Sequence, residues 1–229
     1  MAREIKMVKK IALTALILFN AWFVCGAQDA AGGSSDADTS YAFGVALGSD
    51  FKQAGLSFNY DALLQGFKDS MEGRETRITL GDAIPLIQIA MREAMAKQAE
   101  ENRQRGLSFL AENARKPGVF STPSGLQYEV ISQGTGPKPG ESDRVSVHYE
   151  GTLLDGDIFD SSYARNEPAE FALDEVIPGW TEGIQLMNVG GSYRFVIPPG
   201  LAYGEQGYGN VIPANSTLIF KVELLGIVE

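Results

Sequence analysis

Cysteine and histidine are almost absent from this sequence, which has one of each among 229 residues. A single cysteine, Cys25, cannot form an intramolecular disulfide, so the fold must be stable without one. With His148 as the only imidazole, hydrolase triads and the common zinc sites lack parts. We therefore expect a function that needs neither a metal nor another cofactor.

Cations are also scarce, because 19 Lys and Arg residues stand against 29 Asp and Glu residues and the formal net charge is −10. No basic stripe remains that could follow a phosphate backbone, which argues against binding nucleic acid or an anionic membrane surface. The apolar content of 44% is ordinary for a globular protein, and the length allows one or two domains.

The first 27 residues have the pattern of a secretory signal peptide. Several cations precede an apolar run from Ile11 to Val24, and the small residues Gly26 and Ala27 follow it. The run is shorter than the about 20 apolar residues that a transmembrane helix needs. We expect export with cleavage after Ala27; a retained membrane anchor is the alternative, and Met7 is an alternative start.

Cys25 leaves a second outcome open at this segment. Cleavage after Ala27 removes the only thiol, whereas processing before Cys25 would make that residue the lipidated N-terminus of a lipoprotein. Val24 is bulkier than the small residue that usually precedes a lipidated cysteine. In either case residues 28–38, which are small and polar, follow as a predicted flexible leader.

Residues 39–115 have the apolar spacing of helices and almost no strand signals. A first helix contains Tyr41–Phe51, and a second, capped by Asn59 or Asp61, ends at Gly73. The apolar residues of the second helix fall on one face, which consists of Leu63, Leu64, Phe67 and Met71.

A third, longer helix is predicted to begin at Asp82. Thr79 as its N-cap would place Pro85 deep enough to remove an intrahelical hydrogen bond, whereas Asp82 as the cap leaves Pro85 in the first turn. After Lys97 the apolar face ends, and Gln98–Arg105 is polar almost all round. A helix of that kind either bridges domains through solvent or is unstable alone.

Residues 116–229 change to the patterns of strands. Lys116-Pro117-Gly118 ends the long helix and an alternating strand begins near Ser124, so a domain boundary lies between them. One short helix is predicted at Trp180–Leu186, and the other strands are Arg144–Leu153, Phe171–Leu173, Ser192–Ile197 and Thr217–Ile227. The fold class is α+β, with an all-α N-terminal region, a long connecting helix and a C-terminal antiparallel sheet wrapped around a short helix.

The stretch Val145–Phe171 combines a half-buried strand with a compact set of functional groups. The strand carries Tyr149 at an inward position, and the turn Asp155-Gly156 leads to Phe159-Asp160 and then to Arg165. Three later segments carry further motifs, namely Glu175–Trp180, Ile197–Gly204 and Ile212–Leu225. These four motifs, in this order, resemble the signature of the FKBP family of peptidyl-prolyl cis/trans isomerases.

The resemblance implies the FKBP fold and an enzyme that accelerates rotation about prolyl bonds. That rotation needs no nucleophile or metal, because its barrier of about 18–20 kcal/mol comes from amide resonance. A dry apolar pocket that binds the twisted amide better than the planar one lowers the barrier. The implied ligands are proline-containing segments of unfolded or exported proteins, together with a macrolide.

The resemblance also assigns the pocket residues. The floor is Trp180, the rim is Tyr203, and the walls are Tyr149, Phe159, Val176, Ile177 and Phe220. The Ile177 N–H and the Tyr203 hydroxyl would bond the carbonyls of the peptide. Asp160, held by Arg165 and the Tyr149 hydroxyl, would lie near the carbonyl that precedes proline. The implied substrate-binding residues are Arg165, Phe171, Val176, Tyr208, Val211 and Ile212.

The three N-terminal helices resemble the domain of Mip-like bacterial members of the family, in which two short helices from each chain interlock into a dimer. We expect a homodimer through residues 39–95, since two short helices cannot bury their apolar faces within roughly 40 residues. A monomeric helical cap is the alternative. The resemblance places the exported protein in the periplasm or at the outer membrane of a bacterium.

The sequence thus predicts a peptidyl-prolyl isomerase that speeds proline-limited folding of exported proteins, with a dimer-dependent chaperone activity. The alternative is a non-enzymatic holdase or adhesion module on the same fold.

Overall fold

The computed structural model describes residues 35–209 and 211–228. The predicted signal peptide, the lipidation site at Cys25 and residues 28–34 of the predicted leader lie outside the described residues. The chain divides into two units between Gly44 and Val45, and every element of the candidate site belongs to the second unit. Among the described helices, none is both long enough and apolar enough to cross a membrane.

The N-terminal region is all-α, as predicted, with α1 (Asp36–Gln53), α2 (Tyr60–Met71) and α3 (Leu80–Asn113). Helix α1 begins before the predicted end of the leader at residue 38, so the leader was predicted too long. The Ser35 Oγ accepts a hydrogen bond from the Asp38 N–H at 3.1 Å, and Asp36 and Asp38 complement the positive end of the helix. The cap of α2 is Asn59, whose Oδ1 accepts from Ala62 N–H at 3.0 Å.

The predicted start of α3 at Asp82 is wrong, because Thr79 is the N-cap. The Thr79 Oγ1 accepts a hydrogen bond from the Asp82 N–H at 3.2 Å and donates one to Asp82 Oδ2 at 2.7 Å. The first bond satisfies one backbone donor that a helix N-terminus otherwise leaves free, and the second holds the two side chains together. The cap thus offsets the one hydrogen bond lost at Pro85, which lies inside the helix.

The polar segment Gln98–Arg105 is a continuous part of α3 and is not surrounded by solvent. The helix is continuous through it, and Asn102 Nδ2 donates a hydrogen bond to the Ala214 carbonyl at 3.0 Å. One side of the segment therefore rests on the loop that precedes the last strand. The segment therefore does not bridge the domains through solvent, which was the first of the two behaviours expected of a helix that is polar all round.

Seven strands of the described chain form an antiparallel sheet, in which six follow the order β1-β2-β6-β7-β3-β4 and β5 pairs with β3 off this path. They are β1 (Val119–Ser121), β2 (Gln127–Ser132), β3 (Arg144–Thr152), β4 (Ile158–Ser161), β5 (Ala169–Ala172), β6 (Ser192–Ile197) and β7 (Leu218–Val228). Strand β3 pairs with β7 along one edge, while β5 and β4 share its other edge. The short strands β1 and β4 were not among the predicted ones, and the other strands lie within a few residues of the predicted ones.

One helix, α4 (Pro178–Gln185), packs on the sheet and closes the core. Its backbone approaches β6 closely at Gly179 and Gly183. A methyl group at Gly179 would lie 2.5 Å from Ile197 Cγ2, and one at Gly183 would lie 2.9 Å from Phe195 Cε1. Because Phe195 and Ile197 are fully buried, neither side chain has room to move away.

We predict that Gly183→Ala lowers the free energy of unfolding by about 1–3 kcal/mol, the usual cost of overpacking, less about 0.5–1 kcal/mol that alanine contributes as a better helix former. Urea unfolding of both forms measures the difference. Gly200→Ala is the matched control, since a methyl group there meets nothing within 4 Å. Equal stability of the Gly183 and Gly200 variants would contradict the close packing of α4.

Candidate active site

Five aromatic rings from four strands and α4 meet at one place on the inner face of the sheet. The inward positions of β3 alternate with outward ones, and Tyr149 is an inward residue, 8% exposed. The Trp180 ring lies at the centre, with its centroid 5.0 Å from Tyr149, 5.1 Å from Phe171 and 5.0 Å from Phe220. Phe159 meets Phe220 edge-to-face at 5.4 Å. The structure therefore brings together the predicted floor and walls.

Gly151 makes the contact between Phe159 and Phe220 possible. A methyl group at this inward position of β3 would lie 2.6 Å from Phe159 Cζ and 2.7 Å from Phe220 Cε1. Any larger residue would push the two rings apart and change the width of the pocket. The sequence analysis gave this glycine no role, because an isolated Gly in a strand pattern has several explanations.

Tyr149, Asp160 and Arg165 form a closed ring of hydrogen bonds. The Tyr149 hydroxyl donates to Asp160 Oδ2, Arg165 Nη1 donates to Asp160 Oδ1, and Arg165 Nη2 donates to the Tyr149 hydroxyl at 2.9 Å. The guanidinium also lies over the Tyr149 ring, 5.6 Å from its centroid. This arrangement agrees with the predicted support of Asp160 by Tyr149 and Arg165.

The three groups are held in fixed protonation states. Burial raises the pKa of Tyr149, and the bond to Asp160 adds to this, so the hydroxyl remains a donor. Burial by itself would raise the pKa of Asp160, but the hydrogen bonds from Tyr149 and Arg165 outweigh it and the pKa lies below its ordinary value of 3.8. The hydrogen bonds that Arg165 donates to Asp160 and to the Tyr149 hydroxyl raise the pKa of Arg165. Asp160 is therefore a carboxylate at neutral pH and a poor proton acceptor.

The start of α4 supplies a second kind of group, an unpaired backbone donor. Ile177 is the N-cap, and its carbonyl accepts from Trp180 N–H at 2.8 Å, which fixes the start of the helix. No acceptor among the described residues bonds the Ile177 N–H. Val176 and Ile177 both pack against the core beside Trp180. The Trp180 Nε1 is also buried and without a partner in the described part of the chain.

The loop after β6 contributes the remaining predicted residues. Tyr203 packs against the core, and its ring lies 5.1 Å from that of Tyr208. Burial, followed by the charges of Tyr208 and Asp160, raises the pKa of Tyr203, and no described residue bonds its hydroxyl. Ile212 is 4% exposed, whereas Tyr208 and Val211 are 62% and 50% exposed. These last two lie on the surface of the loop and not within the ring cluster.

Ser162 is a positioning residue that the sequence analysis missed. Its side chain is fully buried, and its Oγ accepts from the Tyr149 N–H at 2.8 Å and donates to the Tyr149 carbonyl at 3.2 Å. His148 Nδ1 lies 3.0 Å from the same oxygen. The motif that contains Ser162 was recognised, but serine is mostly exposed in proteins and nothing in its spacing indicates burial.

No group of three potential metal ligands occurs among the described residues. The site offers an apolar wall of aromatic rings, one ionised carboxylate and three hydrogen-bond donors that have no partner among the described residues, from Ile177, Trp180 and Tyr203. Such a set can bind and orient a peptide, but it contains no activated nucleophile. It defines a catalyst of conformational change rather than of bond cleavage.

Comparisons with known proteins agree with this class. The family model described as FKBP-type peptidyl-prolyl cis-trans isomerase matches residues 136–225. The model of the domain amino terminal to FKBP-type peptidyl-prolyl isomerase matches residues 36–130. The two models together extend from the start of α1 to β7.

Curated relatives and a solved structure match most of the chain. The outer membrane protein MIP of Legionella longbeachae is 43% identical over 209 residues, which are 88% of this chain and 90% of that protein. The FKBP-type 22 kDa peptidyl-prolyl cis-trans isomerase of Escherichia coli K12 is 45% identical, over 84% of this chain and 95% of its own length. The crystal structure of FkpA from Escherichia coli, 37% identical, covers 86% of this chain and 98% of its own with a TM-score of 0.66. The chain belongs to the FKBP-type peptidyl-prolyl cis-trans isomerases and is an enzyme of that type.

We predict that the Asp160 carboxyl titrates below 3.8, its ordinary pKa, because Tyr149 and Arg165 bond the ionised form. Since its folded-state pKa is depressed, the interaction stabilises the fold above the ordinary value and is lost as pH falls through the folded-state pKa. Carboxyl NMR titration measures this directly. Arg165→Met should move the Asp160 pKa upward, whereas Arg144→Met, which removes a guanidinium near Glu170 only, should not. An unchanged Asp160 pKa in Arg165→Met would contradict the role of Arg165.

Proposed function

We propose that the ring cluster around Trp180 is the catalytic pocket of this isomerase, with Tyr149, Phe159, Asp160, Ile177, Trp180, Tyr203 and Phe220 as the catalytic set. The observation that carries the proposal is the coexistence of apolar rings and unpaired donors at one place. A proline ring packs on Trp180, and the Ile177 N–H and the Tyr203 hydroxyl bond the carbonyls beside it. Arg165, Phe171, Val176, Tyr208, Val211 and Ile212 complete the contact with the peptide.

The pocket lowers the barrier by changing the environment of the amide. A planar amide places partial negative charge on its oxygen through resonance, and water stabilises that form. In the pocket, water is replaced by aromatic rings, and the Asp160 carboxylate disfavours negative charge on a nearby carbonyl oxygen. Both effects destabilise the planar amide relative to the twisted one. Asp160 acts as a fixed charge in this mechanism and not as a general base.

We predict that the double variant Phe159→Ala, Asp160→Ala loses roughly tenfold or more in kcat/KM for a short Xaa-Pro peptide, since it removes a pocket wall and the fixed charge. A protease-coupled isomerisation assay measures the rate. Asp157→Ala is the matched control, because this exposed carboxylate lies in the same hairpin and has no contact with Tyr149. Full activity of the double variant would place the catalytic pocket elsewhere.

A homodimer through residues 39–95 is the second part of the proposal, and the apolar face of α2 supports it. No residue of α2 is buried in the single chain. Its four apolar residues Leu63, Leu64, Phe67 and Met71 are 43%, 53%, 59% and 72% exposed. An exposed apolar face of this kind normally indicates an interface. The match of residues 36–130 to the family's amino-terminal domain adds to this support.

We predict that the double variant Leu63→Glu, Phe67→Glu is monomeric in sedimentation velocity, because two carboxylates on this face cannot be buried against a second copy. The wild type should sediment as a dimer. Ala62→Glu is the control for position, since it adds one carboxylate to the opposite face of the same helix. A dimer of unchanged strength in the double variant would exclude this face as the interface.

The remaining parts of the proposal concern the cellular setting. Export to the periplasm or the outer membrane is supported by the signal pattern and by the likeness to a relative named as an outer membrane protein. The aromatic pocket also suits a macrolide ligand, because its floor is apolar and its free donors can bond ligand carbonyls. The division into a helical domain, residues 39–115, and an isomerase domain, residues 116–229, follows the same scheme, and chaperone activity would use the helical domain.

A further inference from the structure

Residues 198–216, in the loop between β6 and β7, form one edge of the pocket and are called the flap. The structure describes all of them except residue 210. The flap contains little regular structure, yet it must hold Tyr203 still if the Tyr203 hydroxyl is to bond a peptide. Internal hydrogen bonds fix part of it. Tyr208 N–H donates to the Ile212 carbonyl at 2.8 Å, and Gly204 N–H donates to the Pro199 carbonyl at 2.9 Å.

Asn215, near the C-terminal end of the flap, is bonded to a residue in its middle. Its backbone N–H donates to the Gly204 carbonyl at 2.9 Å, so Asn215 is bonded to the residue that directly follows Tyr203. Its backbone has a φ of 57°, in the left-handed region, where asparagine is among the few residues tolerated besides glycine. This conformation lets the backbone face the flap while the side chain extends away from it.

The Asn215 side chain bonds helix α3. Its Nδ2 donates to the Ala99 carbonyl at 3.3 Å, and in the opposite direction Asn102 Nδ2 donates to the Ala214 carbonyl at 3.0 Å. Two asparagine side chains thus connect consecutive residues of the flap to one turn of the helix. These two bonds, one donated from each side, join α3 to the flap at Ala214 and Asn215.

The rest of α3 is fixed by close packing and hydrogen bonds, so the two asparagine bonds hold the flap at a defined place. A methyl group at Gly106 would lie 2.4 Å from Thr217 Oγ1, so the helix backbone is in close contact with the residue before β7. Further along, Asn113 Nδ2 donates to Gln127 Oε1 at 2.9 Å, and Gln127 Nε2 donates to the Leu110 carbonyl at 2.9 Å. Asn113 and Gln127 are both buried, and buried polar pairs of this kind fix a unique arrangement.

We propose that Asn215 and Asn102 are positioning residues for the isomerase reaction, through which α3 holds the flap so that Tyr203 points its hydroxyl at the substrate. The proposal rests on the role given above to Tyr203 in peptide binding. Neither asparagine touches the peptide. The chain of contact runs from the Ala99 carbonyl through Asn215 to Gly204 and then to Tyr203.

The test uses the purified protein with the variants Asn215→Asp and Asn102→Asp. Aspartate keeps the size of asparagine and tolerates the left-handed region, but its carboxylate cannot donate to a carbonyl. Each variant should lower kcat/KM for a short Xaa-Pro peptide by about 3- to 10-fold, the effect of losing a typical hydrogen bond. Asn188→Asp is the matched control, because Asn188 Nδ2 donates to the Gly136 carbonyl at 2.7 Å in a loop remote from the flap.

A double-mutant cycle with Tyr203→Phe separates positioning from a general loss of stability. If Asn215 acts through the Tyr203 hydroxyl, Asn215→Asp has no further effect on kcat/KM once that hydroxyl is absent. Additive losses, or losses matched by Asn188→Asp, would overturn the proposal. Full activity of Tyr203→Phe would overturn the role of Tyr203 and this inference with it, while the pocket itself is judged separately by the Phe159, Asp160 variant.

Discussion

The register of β3 is the constraint on which the pocket depends. This strand is paired on both edges, with β7 along its length and with β5 and β4 on the other side. A slip by one residue would turn Tyr149 and Gly151 outward together with the buried Val145 and Val147. Because β4 and β5 pair with the same edge of β3, a connection must lead from the end of β4 back to the start of β5. The connection between them is the loop that carries Arg165 back to Asp160 and Tyr149.

A charged carboxylate beside five aromatic rings is costly unless it is paired and hydrogen-bonded. Here the carboxylate is stabilised by groups that belong to the pocket wall itself, since Tyr149 supplies one donor and Arg165 another. Ser162 bonds both backbone groups of Tyr149, so the phenol is fixed from behind as well. The apolar ring cluster and the ionised carboxylate can therefore lie side by side.

Most of the strands and most of the ring cluster could be predicted from the sequence. The period of hydrophobic residues indicates strands, and the order of the motifs indicates which rings lie together. The alternation around Tyr149 gave β3, and the motifs gave the rings that the structure brings together. The failures have local causes. Proline rules favoured Asp82 as the cap of α3, but the reciprocal bonds of Thr79 and Asp82 outweighed the hydrogen bond lost at Pro85. Buried serine and close-packed glycine, as at Ser162 and Gly151, depend on tertiary neighbours that no spacing pattern records.

The polar segment Gln98–Arg105 of α3 is a further case in which the sequence pattern does not record what the element packs against. Its composition suggests a helix that has nothing to pack against. The flap, however, contains little regular structure and exposes carbonyls that only polar side chains can bond. Asn102 serves that need and an apolar residue could not. Polarity along this part of α3 is therefore a requirement of docking against irregular backbone. A helix that begins in the helical region thus reaches, through two asparagines, the loop that carries Tyr203 at the edge of the pocket.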